Sequence, residues 1–426
     1  MQLPQYPRYE RYKPSGVEWL EDVPKGWQVT PGRACLYENK DKNTGMKEST
    51  VLSLSYGNVI VKPAEKLTGL VPESFETYQI VEPGDIIIRG TDLQNDVTSL
   101  RTGLAKNRGI ITSAYINLRP QDNVLPFYLH YVLHSYDLKK VFYGLGSGLR
   151  QNLSYEDFKY LDLPLPDIAT QERIVTFLDD KTDKIDRAVK IKEGQIALLR
   201  ERKQIIIQEA VTKGLNPDAP MKDSGIDWIG QIPAHWDRLA NKFIFKLKKD
   251  TVGKRAPEYD LLSLTLRGII KRDMENPEGK FPAEFDTYQG VLPGDFVFCH
   301  FDVEETPRTV GLSEFRGMIT GAYTVYHTSD EFDRRFLLYF YLFADTDKKL
   351  RSLYKGLRNT ISKDVFGSFK TPLPPLEEQQ EIVKNIDESS AKVEAAIELK
   401  QRQIESLKEY KATLINAAVT GKIKVI

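Results

Sequence analysis

The sequence predicts an α+β protein of two tandem α/β domains, each followed by a long helix, with the two helices packed as an antiparallel coiled coil. Three observations predict it. The chain is 426 residues long, which suits two or three domains and not one. It is also written twice: Ser15–Trp27 (SGVEWLEDVPKGW) returns as Ser224–Trp236 (SGIDWIGQIPAHW), and Phe75–Ile88 (FETYQIVEPGDIII) as Phe285–Phe298 (FDTYQGVLPGDFVF). Gly148–Phe158 (GLRQNLSYEDF) returns as Gly356–Phe366 (GLRNTISKDVF), so one ordered repeat covers nearly the whole chain. Finally, apolar residues recur at alternating three- and four-residue steps, the a/d seam of a coiled coil. They are Leu178, Ile185, Val189, Ile196, Leu199 and Ile206 in the first copy, and Ile386, Val393, Ile397, Ile404, Leu407 and Leu414 in the second.

Taken in order, residues 1–168 form the first domain, with short β-type runs (VLSLSYG, GDIIIRG, GIITSAYINL) separated by Gly, Pro, Asn and Asp. An aromatic, helical stretch follows at Phe127–Phe142, and a Leu-Pro-Leu-Pro brake precedes the long helix at 169–214. Pro217 and Pro220 make 215–223 a linker. The second copy has a domain at 224–376 and a helix at 377–426. Polar residues interrupt both seams at matching places: Thr182 and Ser390, Lys192 and Lys400, Lys203 and Lys411. They are either solvated rungs of a loose pair or the groups that fix its register. From Leu178 to Ala210 the helix would run ~50 Å at ~1.5 Å per residue.

Composition excludes several classes. No apolar run approaches the ~20 residues that span a bilayer, and MQLPQYPRYERYK has no signal-peptide core, so a cytoplasmic protein is expected. Cys35 and Cys299 are the two cysteines, which argues against a disulfide scaffold. Sixty Lys and Arg balance sixty Asp and Glu, so any nucleic-acid contact must come from local patches or a partner. Catalytic signatures are missing. Gly421-Lys422 is no phosphate loop, the 144–148 glycines do not fit a dinucleotide fingerprint, and Pro374-Pro375 is not the adenine-methyltransferase tetrapeptide. His130 and His134 have metal-ligand spacing but no third ligand, so no metal is expected. Pro83–Asp85 and Pro293–Asp295 read as turns before a strand.

The places where the copies differ are informative. After the matched Pro-Gly-Asp strand, the first copy reads RGTDLQNDVTSLRTG and the second CHFDVEETPRTVG. Arg89, Asp92, Gln94, Asn95 and Arg101, and likewise His300, Asp302, Glu304, Glu305 and Arg308, are side chains able to read base edges, or to line an ordinary solvated loop. The GLRQNLS and GLRNTIS loops instead match. Arg150, Gln151 and Asn152, and Arg358 and Asn359, suit sequence-independent phosphate contact, and Ser154 and Ser362 equally suit helix caps. Lys106, Arg108 and Arg316 are further backbone candidates.

These features together resemble the DNA-specificity subunits of type I restriction-modification systems. The resemblance rests on the W-x-x-x-(V/I)-P-x-x-W opening, the GLR-(Q/N)-x-(L/I)-S loop, the LPLP or PLPP element with its following Gln, and the AAVTGK ending. It implies a non-catalytic subunit whose two domains each read one half of a split target. The long helices would separate those domains and bind two methyltransferase subunits. S-adenosylmethionine, ATP and magnesium would belong to the methyltransferase and restriction subunits. A scaffold that never reads bases, or a nuclease with an unrecognised site, are the alternatives.

Overall fold

The computed structural model describes residues 6–63, 65, 74–96, 98–145, 152–273 and 285–426. Among them are seven α-helices: α1 (Pro126–Leu138), α2 (Tyr155–Lys159), α3 (Ile168–Lys213), α4 (Asn241–Ile244), α5 (Arg334–Asp345), α6 (Lys363–Ser368) and α7 (Leu376–Val419). The chain divides into two compact units, Met1–Glu193 with Gln401–Ile426, and Gly194–Lys400. Each unit therefore contains part of both long helices.

In the first unit an antiparallel sheet has the order Leu36–Glu38, Ile116–Pro120, Ile86–Ile88, Thr102–Leu104. Its buried residues and α1 share a core with Leu178 of α3 and with Leu414, Ile415 and Val419 of α7. The residues after α7 also enter this core through Ile423 and Val425, and the Tyr12 hydroxyl donates to the Gly421 carbonyl at 3.0 Å. Two-stranded ribbons flank the sheet: Leu52–Ser55 with Asn58–Val61, Gln79–Val81 with Gly109–Ile111, and Gln28–Pro31 with Asp162–Leu165.

The second unit repeats this plan. Its sheet has the order Phe245–Leu247, Thr324–Thr328, Phe296–Phe298, Val310–Leu312, and its ribbons pair Leu262–Thr265 with Gly268–Lys271 and Gln289–Val291 with Gly317–Ile319. Met221–Asp223, at the end of the predicted linker, pairs with Gln231–Pro233. The core is richer in aromatic residues, with Phe296, Phe298, Phe336, Phe340 and Phe366 buried around Trp236. The Trp236 indole donates to Glu378 of α7 at 3.0 Å.

The helices run antiparallel within each unit. In the first, Lys411 of α7 pairs with Asp186 of α3 at 2.6 Å and Lys192 donates to Gln403 at 2.7 Å, so α3 rises as α7 falls. In the second, Lys203 pairs with Glu394 at 2.7 Å. These two ion pairs are the same contact in repeat register. Leu178, Ile185, Ile196, Ile386, Val393, Ile397, Ile404 and Leu414 are buried, and Val189, Leu199, Ile206 and Leu407 half-buried. That burial provides the association, because exposed ion pairs contribute little.

Candidate nucleic-acid interface

In the first unit the loop leaving strand Ile86–Ile88 is organised from below by Arg101, which is 0% exposed. Its guanidinium uses all five N–H donors: Nη1 on the carbonyls of Arg89 and Thr91, Nη2 on those of Asp92 and Asp96, and Nε on the Tyr143 hydroxyl. Its backbone N–H donates to the buried carboxylate of Asp137 at 2.6 Å. Arg101 therefore does not read bases as expected, since nothing remains to donate. It grips main-chain carbonyls, which any loop sequence offers, and leaves the loop's side chains free to differ.

The loop's polar side chains lie at the surface, while Leu93 is buried in the core beneath them. Arg89 pairs with Asp96 at 3.0 Å, and the Asp96 carboxyl is held down at about 2, chiefly by the N–H of Ser99. Gln94 and Asn95 are exposed, and the Asn95 amide donates to Asp92 at 2.7 Å. Asp92 has a left-handed backbone, φ 61°, and its N–H donates to the Asn152 side chain at 3.0 Å. Leu153 N–H also reaches the Gly90 carbonyl at 2.7 Å, so the differing loop and the matched loop are joined. Arg150 and Gln151 lie outside the described residues.

The second unit joins its loops in the same way. Ile361 N–H donates to the His300 carbonyl and Asp302 N–H to the Arg358 carbonyl, both at 2.8 Å. Asp302 is again left-handed, φ 45°. Arg358 makes a two-pronged ion pair with Asp302 and lies 5.5 Å from the Phe301 ring centre. Asn359 turns the loop with φ 41°. Glu304 pairs with Arg351, a partner that sequence reading missed. Glu305 is exposed, and Arg308 donates to the Leu266 carbonyl at 3.2 Å. His300, expected at the surface, is instead buried. It stacks on Phe298 at 5.5 Å, and a ring nitrogen meets the Tyr326 hydroxyl at 3.2 Å. Burial lowers its pKa to about 4, so it stays neutral near pH 7.

Other candidates sit elsewhere on the units. Lys106 and Arg108 lie in the turn between strands Thr102–Leu104 and Gly109–Ile111, and Arg316 lies in the equivalent turn. Arg108 pairs with Glu82 at 2.6 Å, and Arg316 stands over Tyr259. Asp85 and Asp295 are buried at the turns before their strands, bonded to Arg119 and Lys248. Ser362 caps α6 by accepting from Val365 N–H, and Asp157 accepts from the Ser154 N–H before α2. His130 and His134 stack at 5.7 Å, and burial lowers both, to about 3 and about 4. No group of three or more His, Cys, Asp or Glu among the described residues could hold a metal.

One scaffold used twice, carrying a differing polar loop on a matched one, defines a two-headed recognition protein. The family described as the type I restriction modification DNA specificity domain matches residues 39–198 and 321–409, and the chain belongs to it. The putative type I restriction enzyme MjaX specificity subunit of Methanocaldococcus jannaschii is 23% identical over 451 residues, covering 99% of each chain. The MjaVIII specificity subunit of the same organism is 23% identical over 341 residues, 75% of each. A chain solved in work on assembly and conformational transition of a type I R-M system has a TM-score of 0.64 at 15% identity, covering 93% of this chain and 98% of that one, and shares the fold. This chain is thus a DNA-sequence-recognition subunit, non-catalytic and without a catalytic cofactor of its own. DNA and the other subunits of a restriction-modification system are its partners. Among the described residues no helix is long and apolar enough to cross a membrane.

Proposed function

We propose that each unit reads one half of a split double-stranded target. Arg89, Asp92, Gln94 and Asn95 would form the base-reading surface of the first unit, and Asp302, Glu304, Glu305 and Arg308 that of the second. Phosphates would be held by Asn152, Arg358 and Asn359 with Lys106, Arg108 and Arg316, and by Arg150 and Gln151. Helices α3 and α7 set an unread spacer and dock two methyltransferase subunits, which bring S-adenosylmethionine. A restriction subunit supplies ATP- and magnesium-dependent steps, and the complex works in the cytoplasm.

The observation that carries this reading is the tethering of a differing polar loop to a matched loop in both units, through Asp92 to Asn152 and Asp302 to Arg358. Side chains that differ between copies suit reading, and side chains that repeat suit the repeating backbone. The test is a binding titration of the chain, with and without its methyltransferase partner, against duplexes carrying sites mapped by methylation sequencing. Site-specific binding that needs both halves of the target supports the reading. Equal binding to scrambled duplexes overturns it.

A further inference from the structure

Beside each reading loop stands a second exposed element. Strands Leu52–Ser55 and Asn58–Val61 are joined by a two-residue turn, Tyr56-Gly57, and strands Leu262–Thr265 and Gly268–Lys271 by Leu266-Arg267. Both hairpins lie directly on the strand that leaves the reading loop. A Cβ on Gly103 would come 2.4 Å from Leu54, and one on Gly311 would come 2.7 Å from Leu264. The hairpins also touch the loops: Leu100 packs against Gly57, and Arg308 bonds the Leu266 carbonyl.

The tip residues are unusual for such turns. Tyr56 and Gly57 both have positive φ, 48° and 77°, a conformation that favours Asn-Gly and costs a tyrosine energy. Yet Tyr56 is 91% exposed and gains no burial in return, and Leu266 at the other tip is 66% exposed. The two tips differ in geometry as well as in side chain: Tyr56 and Gly57 are both left-handed, whereas in the second hairpin the positive φ falls on Gly268, 98°, just after Leu266-Arg267. Strain retained at an exposed apolar residue points to contact with something outside the chain.

We propose that the hairpin tips are a second DNA-contacting element, with Tyr56 and Leu266 packing on base or sugar surfaces beside the bases read by each loop, and Arg267 reaching a phosphate. The proposal rests on the loop reading above. Its chemistry follows from the neighbours. The groove beneath Tyr56 carries Asp179, Asp183 and Asp186 with Lys106 and Lys411, and Lys411 pairs with Asp186, so what the tip itself offers is the ring, for an apolar or stacking contact. At the other tip Arg267 is exposed beside Leu266, so that site adds a charge.

The test uses the full chain assembled with its methyltransferase subunits and duplexes carrying the methylation-mapped target. Tyr56→Asn creates the favoured Asn-Gly turn, so the hairpin should survive; a thermal melt checks this. Loss of one aromatic contact should weaken binding roughly 5- to 150-fold without changing its salt dependence, whereas Tyr56→Phe should bind like the wild type. Leu266→Asn should weaken binding in the same salt-independent way, and Arg267→Ala should lower the log–log salt slope by roughly one. Wild-type affinity in both Tyr56→Asn and Leu266→Asn overturns the proposal. If Arg89→Ala and Gln94→Ala lose affinity in that case, the loop reading survives alone; if they too bind normally, both fail.

Discussion

Replacing Arg101 with methionine separates a loop organiser from a base reader. Methionine keeps most of the stem's volume and removes five hydrogen bonds, four of them to main-chain carbonyls. A net 0.5–1.5 kcal/mol for each of the five bonds sums to roughly 2.5–7.5 kcal/mol. The surface loop can turn some carbonyls to water, so a loss of roughly 2–4 kcal/mol is expected. The Asp137 carboxylate, accepting from Arg101 N–H in a buried site, also loses its cationic neighbour. At 2–4 °C per kcal/mol for a domain of this size, the first unit should melt about 5–15 °C lower. Methylation mapping should show weakened recognition across the whole half-site that this unit reads, with the other half unchanged. An Arg101→Met protein that melts like the wild type but relaxes one base pair would refute the reasoning.

Other outcomes follow from the same geometry. Arg358→Ala should weaken binding to all duplexes alike and lower the salt slope by roughly one; relaxation at a single base pair would make Arg358 a reader instead. His300 has a folded pKa of about 4 against an ordinary 6.5. Its contribution is therefore complete above pH 6.5 and falls away as pH drops toward 4, by up to about 3 kcal/mol. His300→Gln should show a shallower loss of urea stability over that range, and an equal loss would contradict the assignment. Inserting one heptad into each helix, between Lys192 and Lys203 and between Glu394 and Gln403, keeps the seam in phase and adds ~10 Å. Methylation mapping should then show both half-site sequences with a spacer about three base pairs longer, and an unchanged spacer would show that the helices do not set it.

Repetition and seam spacing were legible because they depend only on residue type and order. The strand order repeats as the sequence does, and three of the seam's lysines, Lys411, Lys203 and Lys192, meet Asp186, Glu394 and Gln403 across the pair. Burial was less legible. Arg101 and His300 have the chemistry of base readers, but what decides their role is the ring of carbonyls that the preceding loop folds around one and the aromatic cluster that distant segments assemble around the other. Tyr56 was hidden for the opposite reason. A tyrosine among β-type residues reads as sheet packing, and its exposure follows from a two-residue turn. Nor does linear order reveal that each compact unit takes part of both helices.

The claim that each unit reads half of the target is tested most directly by exchanging Arg89–Leu100 for a loop of different sequence while keeping Arg101. Because Arg101 grips main-chain carbonyls, the new loop should be held in place. Methylation sequencing of cells carrying the exchanged chain with its partner subunits should show one half-site changed, with the other half and the spacer retained. An unchanged site, or a change in both halves, from a folded and assembled protein would contradict the account.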